Sequence, residues 1–230
     1  ETIAVEQGKG VLLSRHLARL GRAAQFLGLG DLTERGLTME RAAEWIGENC
    51  PGHSACKILL TQENLVMQTR PDPYGAARYA RGFRMDFSAV RRNETSPLTG
   101  HKTLNYGDCI LEHRAAAAAG MDERIFLNTR GKLAEGTVSN LFLVSGGRIY
   151  TPALSCGLLP GVLRSYVLER YCVEEGEIDQ RELGSFDECF VTNSLMGVMP
   201  VKQLGERIFP SRETADRLRS AYEAEKETLK

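Results

Sequence analysis

The chain has 230 residues, of which 42% are hydrophobic and 26% are charged, enough apolar material for one large domain or two modest domains. Its 29 Lys and Arg residues nearly balance its 30 Asp and Glu residues, so the formal net charge is -1. This balance gives no indication of binding to nucleic acid or to an anionic membrane, both of which favour a basic excess. No apolar run approaches the ~20 residues that cross a bilayer.

The six cysteines, at positions 50, 56, 109, 156, 172 and 189, form neither a CxxC pair nor a Cys/His cluster with zinc-ligand spacing. We therefore predict reduced thiols, no metal site and a cytoplasmic protein. We also expect no signal segment at the start of the chain. The chain starts at Glu1 without an initiator Met, so we expect residues to precede it.

The first half of the chain contains helix and strand patterns in turn. Apolar residues recur at helical spacing from Leu17 to Leu27, with Ser14 as the predicted N-cap and Gly28 as the stop. A second helix is predicted to begin at Thr38 and to end at Pro51-Gly52. Strands are predicted at 55–61, at 64–68 and around 83–87, where apolar and polar residues alternate.

The polar segment 91–99, which contains Pro97, is the predicted linker between a small domain at 1–95 and a larger one at 100–230. After it we predict a helix over the alanines 115–119 and an antiparallel meander of strands at 124–127, 133–144 and 148–151. A helix at 161–172, a strand at 189–192 and a helix at 211–229 follow. Because helices and strands alternate irregularly, the predicted fold class is α/β of the mixed, α+β kind rather than a doubly wound parallel sheet.

A few short segments contain residues suited to chemistry, although each also has a simpler explanation. Lys102 alone would be a surface charge, Glu135 a charge at a strand edge, and Arg19 a charge on a helix face. The turn before Val162 would be a plain helix entry, yet the unpaired amides at a helix N-terminus also suit a phosphate. Asn193 and its neighbours would be a polar turn.

Together these segments resemble the fold-type IV pyridoxal-phosphate enzymes, which include branched-chain aminotransferases, D-amino acid aminotransferases and aminodeoxychorismate lyases. The resemblance covers nearly the whole chain. The motifs that carry it are Leu17-Ala18-Arg19-Leu20, Lys102-Thr103-Leu104-Asn105-Tyr106, Glu135-Gly136-Thr137, Ser139-Asn140-Leu141-Phe142, Leu159-Pro160-Gly161-Val162 with Arg164, and Asn193-Ser194 followed by Pro200-Val201.

The resemblance implies a role for each matching residue. Lys102 would form the Schiff base with pyridoxal 5'-phosphate, and for that its pKa should be depressed. Glu135 would pair with the pyridine nitrogen, and Tyr106 would lie near the phenolic oxygen of the cofactor. The phosphate would be held by Arg19, the amides of Val162 and Leu163, and the side chains of Asn193 and Ser194.

The resemblance leaves the reaction open. The loop from Asn193 to Val201 is similar to that of 4-amino-4-deoxychorismate lyases, which convert aminodeoxychorismate to 4-aminobenzoate and pyruvate in folate synthesis. Thr103 and Tyr106 are shared with transaminases, so a branched-chain or D-amino acid aminotransferase is the alternative. Leu195, Met196 and Met199 would also suit plain core packing.

A third interpretation is a non-catalytic binding scaffold, which the joint presence of Lys102, Glu135 and Arg19 disfavours. The resemblance further implies a two-domain fold like that of D-amino acid aminotransferase, a homodimer and a small-molecule amino substrate. The cation for the substrate carboxylate stays open among Lys57, Arg78 and Arg91.

Overall fold

The computed structural model describes residues 1–229, and its contacts divide the chain into two compact units. Unit 1 comprises Glu1–Tyr74 together with the segment from Glu223 onward, and unit 2 comprises Gly75–Tyr222. Both units combine helices and strands, which confirms the predicted mixed α/β class.

Unit 1 has a four-stranded antiparallel sheet of order β2-β1-β3-β4. Its strands are β1 Thr2–Glu6, β2 Lys9–Gly10, β3 His53–Leu60 and β4 Leu65–Arg70. Two helices, α1 Leu13–Phe26 and α2 Met39–Asn49, place apolar side chains against it. Ile3, Leu17 and Ile46 belong to this buried core.

The two helix starts in unit 1 test the capping predictions. The predicted start of the second helix at Thr38 is confirmed: Thr38 is the N-cap of α2, and its side chain accepts a hydrogen bond from the amide of Arg41 at 3.2 Å. The prediction for Ser14 is wrong, because α1 already begins at Leu13 and Ser14 lies inside it. The chain turns into this helix through Leu12, whose φ of 54° is left-handed and which makes no side-chain cap.

Unit 2 contains a nine-stranded sheet and four helices. The strands are β5 Phe83–Arg92, β6 Glu123–Asn128, β7 Leu133–Gly136, β8 Asn140–Ser145, β9 Arg148–Pro152, β10 Val173–Gly176, β11 Glu188–Asn193, β12 Gly197–Leu204 and β13 Arg207–Ile208. The helices are α3 Ala76–Arg81, α4 Gly107–Ala118, α5 Val162–Arg170 and α6 Glu213–Glu225, of which α6 belongs to unit 2 only up to Tyr222. The sheet order is β10-β9-β8-β11-β12-β5-β6-β7, with β13 paired to β12.

The predicted meander is confirmed, since β6, β7, β8 and β9 pair antiparallel in sequence. The predicted strand at 133–144 is two strands, β7 and β8, separated by the turn 137–139. The pairing of Glu135 with Asn140 joins β7 to β8. This pairing closes a circuit of six strands in the order β8-β11-β12-β5-β6-β7.

The boundary between the units differs from the predicted linker at 91–99. Strand β5 pairs in parallel with β12 and with β6, so the chain has already joined the sheet of unit 2 at Phe83. The polar segment after β5 is therefore a loop within unit 2. Across residues 1–229, none of the helices is long and apolar enough to cross a membrane.

Candidate active site

Unit 2 brings three of the predicted site residues together. Lys102 lies in the loop before α4, half-buried, with its Nζ 5.3 Å from the centre of the Tyr106 ring. Tyr106 directly precedes α4, and its hydroxyl donates to the carbonyl of Thr137. The positive charge of Lys102 acts on Glu135 and works to lower its pKa. An amine, a phenol and a carboxylate are thus gathered in one region of the unit.

Glu135 sits on β7 with 5% of its surface exposed. Its Oε1 lies 2.7 Å from Nη2 of Arg92, and its Oε2 accepts the amide proton of Leu159 at 3.0 Å. Burial raises the pKa of Glu135, while Arg92, the Leu159 amide and Lys102 oppose the rise. Burial works to lower the pKa of Arg92, but Glu135 and Cys109 outweigh burial and raise it. The 2.7 Å contact thus joins a buried carboxylate and a half-buried guanidinium as an ion pair.

Arg92 is a site residue that the sequence did not reveal. Its Nη2 also contacts Sγ of Cys109 at 3.0 Å, and its guanidinium lies 4.6 Å from the centre of the Phe126 ring. In the sequence Arg92 is one of two consecutive arginines in a polar stretch. Glu135 lies far from it along the chain, so the sequence does not indicate that the two side chains pair.

The segment before α5 is hydrogen-bonded to Glu135 on β7 and to Asn140 on β8. Asn140 on β8 donates from Nδ2 to the carbonyl of Leu159 at 2.9 Å. Gly161 is the N-cap of α5 and, as a glycine, has no side chain that could cap the first amides of the helix. A Cβ built at Gly161 would collide with Oδ1 of Asn140, so any other residue there would displace the Asn140 side chain from its hydrogen bond to Leu159. The first helical amides, those of Val162 and Leu163, form the kind of N-terminus that binds anions.

Asn193 shapes the turn between β11 and β12. Its Oδ1 accepts from the amides of Leu195 and Met196 at 3.0 and 2.8 Å, and its Nδ2 donates to the carbonyl of Val138 at 3.3 Å. Ser194 lies half-buried in the same turn. Their assignment to a phosphate stays a prediction, since the Asn193 side chain already holds the local backbone.

Arg19 belongs to unit 1, on α1, and is buried. Its Nε and Nη2 donate to the two carboxylate oxygens of Glu1 at 2.9 and 2.7 Å, and Nδ1 of His16 lies 2.7 Å from Oε2 of the same carboxylate. Burial works to raise the pKa of Glu1, but His16 and Arg19 hold it well below its ordinary value. The role of Arg19 toward a phosphate also stays a prediction.

A second missed residue is Glu123, at the start of β6. It is fully buried and accepts three hydrogen bonds from the turn that follows β7: from the Thr137 hydroxyl at 2.9 Å, the Val138 amide at 2.7 Å and the Ser139 hydroxyl at 2.7 Å. Glutamate at a strand start ordinarily faces water, so the sequence pattern gave no reason to single it out.

The arrangement can be compared with known proteins. Residues 1–204 match the family described as amino-transferase class IV. A probable branched-chain-amino-acid aminotransferase of Synechocystis sp. is 30% identical over 212 residues, which are 84% of this chain and 68% of the relative. An aminodeoxychorismate lyase of Bacillus subtilis is 31% identical over 123 residues, covering 51% of this chain and 42% of the relative.

The solved structure of 4-amino-4-deoxychorismate lyase from Pseudomonas aeruginosa superimposes with a TM-score of 0.82 at 27% identity, covering 97% of this chain and 89% of that one. The fold is therefore shared over nearly its whole length. Several alignments to curated relatives are shorter and span between 33% and 49% of the relative's own length. Because the family match covers residues 1–204, more than half of the chain, the chain belongs to the amino-transferase class IV family of enzymes.

Proposed function

We propose that the protein is a pyridoxal 5'-phosphate enzyme, and that its reaction is that of 4-amino-4-deoxychorismate lyase. The observation that carries the cofactor proposal is the grouping, within unit 2, of Lys102 and Tyr106 with the buried carboxylate of Glu135. Members of both named relative groups, the aminotransferases and the lyases, are enzymes that act on amino groups.

The residues fit this cofactor in three respects. Lys102 supplies a primary amine for the aldehyde. Glu135 has one protein donor on each oxygen, which leaves each oxygen a further lone pair for a protonated ring nitrogen. The first amides of α5 supply an anion site next to Gly161. When bound, the cofactor acts as an electron sink for the bonds at the substrate carbon that carries the nitrogen.

The chain's own groups would then do the remaining work. As a free amine, Lys102 would accept the proton of the substrate carbon that carries the nitrogen. The Glu135 carboxylate, kept in place by Arg92 and the Leu159 amide, would hold a proton on the ring nitrogen. Tyr106 is oriented by the Thr137 carbonyl, which fixes the position of its phenol ring beside Lys102.

The turn after β11 supports the lyase over the transaminase. Met196 and Met199 are fully buried, so both pack in the core, as the simpler interpretation held. Ser194 and Leu195 are half-buried in the same turn, and the proposal rests on the similarity of the whole loop from Asn193 to Val201 to that of the lyases. The overall fold is shared with solved structures of both kinds of enzyme, so the choice between the two reactions rests on this loop.

A branched-chain or D-amino acid aminotransferase is the second candidate. It is favoured by Thr103 next to Lys102 and by the Synechocystis relative, whose alignment covers 84% of this chain. The two reactions have different products, so they can be separated directly.

The cofactor proposal is tested by mixing purified protein with pyridoxal 5'-phosphate and recording visible absorption. We expect a new band, and after borohydride reduction a mass increase on the peptide that contains Lys102. Lys102→Ala should show neither change, whereas Lys202→Ala, an exposed lysine on β12 of the same unit, should behave like the wild type. A mass increase on another lysine would refute the assignment.

The reaction is tested by supplying aminodeoxychorismate without an amino acceptor. Formation of 4-aminobenzoate and pyruvate in equal amounts is the expected result. Turnover only when a branched-chain or D-amino acid is paired with 2-oxoglutarate would replace the lyase by the transaminase.

We also propose a homodimer. Three apolar side chains near the start of α4, those of Leu104, Ile110 and Leu111, are 63%, 45% and 63% exposed, and a second copy of the chain would cover such a patch. Sedimentation of the wild type and of Leu111→Glu tests this. A wild type that sediments as a monomer at micromolar concentration would contradict it.

A further inference from the structure

We propose that Glu123 is a positioning residue for the active site, acting through the turn 137–139. The inference deepens the proposed function, because the groups that this turn orients are two of the residues assigned to the cofactor. Glu123 itself is fully buried and contacts neither Lys102 nor Glu135 in any described hydrogen bond or ion pair.

Glu123 holds every residue of the turn by a hydrogen bond. Three consecutive residues, at 137, 138 and 139, each donate one hydrogen bond to its carboxylate. Hydrogen bonds to a buried carboxylate are short and strong, and losing the acceptor leaves each donor unsatisfied. Gly136, the last residue of β7 before the turn, also leaves no room for a side chain, since a Cβ there would lie 2.7 Å from Oε1 of Glu123.

The carbonyl groups of the turn accept hydrogen bonds from two predicted site residues. The carbonyl of Thr137 accepts the hydroxyl of Tyr106, and the carbonyl of Val138 accepts Nδ2 of Asn193 at 3.3 Å. The turn therefore faces Glu123 with its donors and faces two predicted site residues with its acceptors. Moving the turn would move both of those side chains.

The turn is also connected to α4 and to the strands on either side of it. Nδ1 of His113 on α4 lies 3.1 Å from the Thr137 hydroxyl oxygen, so the hydroxyl connects Glu123 to the helix that follows Tyr106. The turn also lies directly between Glu135 on β7 and Asn140 on β8, which pair with each other. One buried side chain thus fixes the segment that orients the phenol of Tyr106 and the side-chain amide of Asn193.

A matched control exists in the same unit. Glu188 is also the first residue of its strand, β11, is also buried, and also accepts three donors, from Ser211, Thr214 and Ala215 at the start of α6. It makes none of its described hydrogen bonds to the turn 137–139. Replacing either glutamate by alanine removes a buried acceptor of three hydrogen bonds, but only one replacement touches the turn.

The experiment compares Glu123→Ala, Glu123→Gln and Glu188→Ala with the wild type. Both alanine variants should lower Tm by about 5–10 °C, because each leaves buried donors unsatisfied. Only Glu123→Ala should weaken pyridoxal 5'-phosphate binding, by about tenfold, and reduce the induced circular dichroism of the bound cofactor. Glu123→Gln keeps all three contacts once the Ser139 hydroxyl rotates to accept, so its affinity should stay near the wild-type value.

A second measurement needs no cofactor. The amides of Leu195 and Met196 are protected by Oδ1 of Asn193, so their hydrogen exchange in the protein without cofactor reports the order of that turn. Exchange should become faster in Glu123→Ala than in Glu188→Ala at matched stability. Equal exchange and equal affinity in the two alanine variants would overturn the proposal.

The two readouts separate this inference from the proposed function. A wild type that binds no cofactor would refute the proposed function, while the hydrogen-exchange comparison would still decide whether Glu123 positions the turn. A wild type that binds the cofactor, together with alanine variants that behave alike, would refute the inference alone.

Discussion

Replacement of Arg92 by methionine tests the ion pair between Arg92 and Glu135. Methionine can keep contact with the Phe126 ring, 4.6 Å from the guanidinium, but it leaves the Glu135 carboxylate without its 2.7 Å partner. Removing one member of a buried pair costs about 3–5 kcal/mol. Since the Arg92 side chain is 21% exposed, we expect the lower end, about 3 kcal/mol.

The cost should depend on pH with a definite sign. Burial already raises the pKa of Glu135 above its ordinary value of 4.5, and losing Arg92 would raise it further. A carboxyl whose pKa is raised by folding stabilises the protein below its ordinary pKa, and that stabilisation is lost as pH rises through the folded-state pKa. The difference between Arg92→Met and the wild type should therefore be small near pH 4.5 and grow toward neutral pH.

Urea unfolding of the two proteins, followed by circular dichroism between pH 4.5 and 8, measures this difference. In thermal unfolding at neutral pH, we expect the Tm of Arg92→Met to lie about 6–12 °C below that of the wild type. The double variant Arg92→Met with Glu135→Gln should recover part of the loss, because it removes the unpaired charge. A destabilisation that is constant across this pH range, or no recovery in the double variant, would refute the ion-pair reasoning.

Three further changes have defined expectations. Gly161→Ala places a Cβ against Oδ1 of Asn140, so we expect a loss of about 1–3 kcal/mol in urea unfolding; an unchanged midpoint would mean that the turn yields freely. Tyr106→Phe removes the hydrogen bond to the Thr137 carbonyl and should cost about 1 kcal/mol while leaving the mass increase at Lys102 after borohydride reduction intact. Thr38→Ala removes the cap of α2 and should cost about 1 kcal/mol without altering cofactor affinity, which calorimetry and absorption titration can check together.

Local signals in the sequence predicted the elements whose formation depends on neighbouring residues. The Thr38 cap and the meander from β6 to β9 are of this kind, because a side-chain cap and tight turns between adjacent strands are decided within a few positions. Ser14 misled the same reasoning, since Leu12 takes a left-handed conformation that a capping pattern does not anticipate. The helix therefore begins one residue before the predicted cap.

Strand β12 escaped prediction because Pro200 interrupts its apolar run, and proline removes a donor from a strand. Tertiary pairing overrides this: Pro200 lies opposite Phe190 in the antiparallel pair with β11, and the parallel pair with β5 begins only at Val201. The boundary between the units was misplaced for a related reason. The parallel pairing of β5 joins residues far apart in the chain, and periodicity contains no information about such partners.

The site shows the same division. Lys102, Tyr106 and Glu135 lie in motifs that a family resemblance can align, and the structure brings them together in unit 2. Arg92 contacts Glu135 on another strand and Glu123 contacts the turn after β7, and their own neighbours in sequence are ordinary for a strand end and a strand start. Only the fold identifies them.

The circuit of six strands in unit 2 has a consequence for the order in which the chain folds. Strands β6 to β9 pair with their sequence neighbours, and short loops lose little entropy on closing. The pairing of β12 with β5 closes a far longer loop and belongs to the slower class of contacts. We expect Glu123, Glu135 and Asn140 to reach their mutual arrangement while β12 is still unpaired, so that the last strands dock onto a carboxylate framework that already exists.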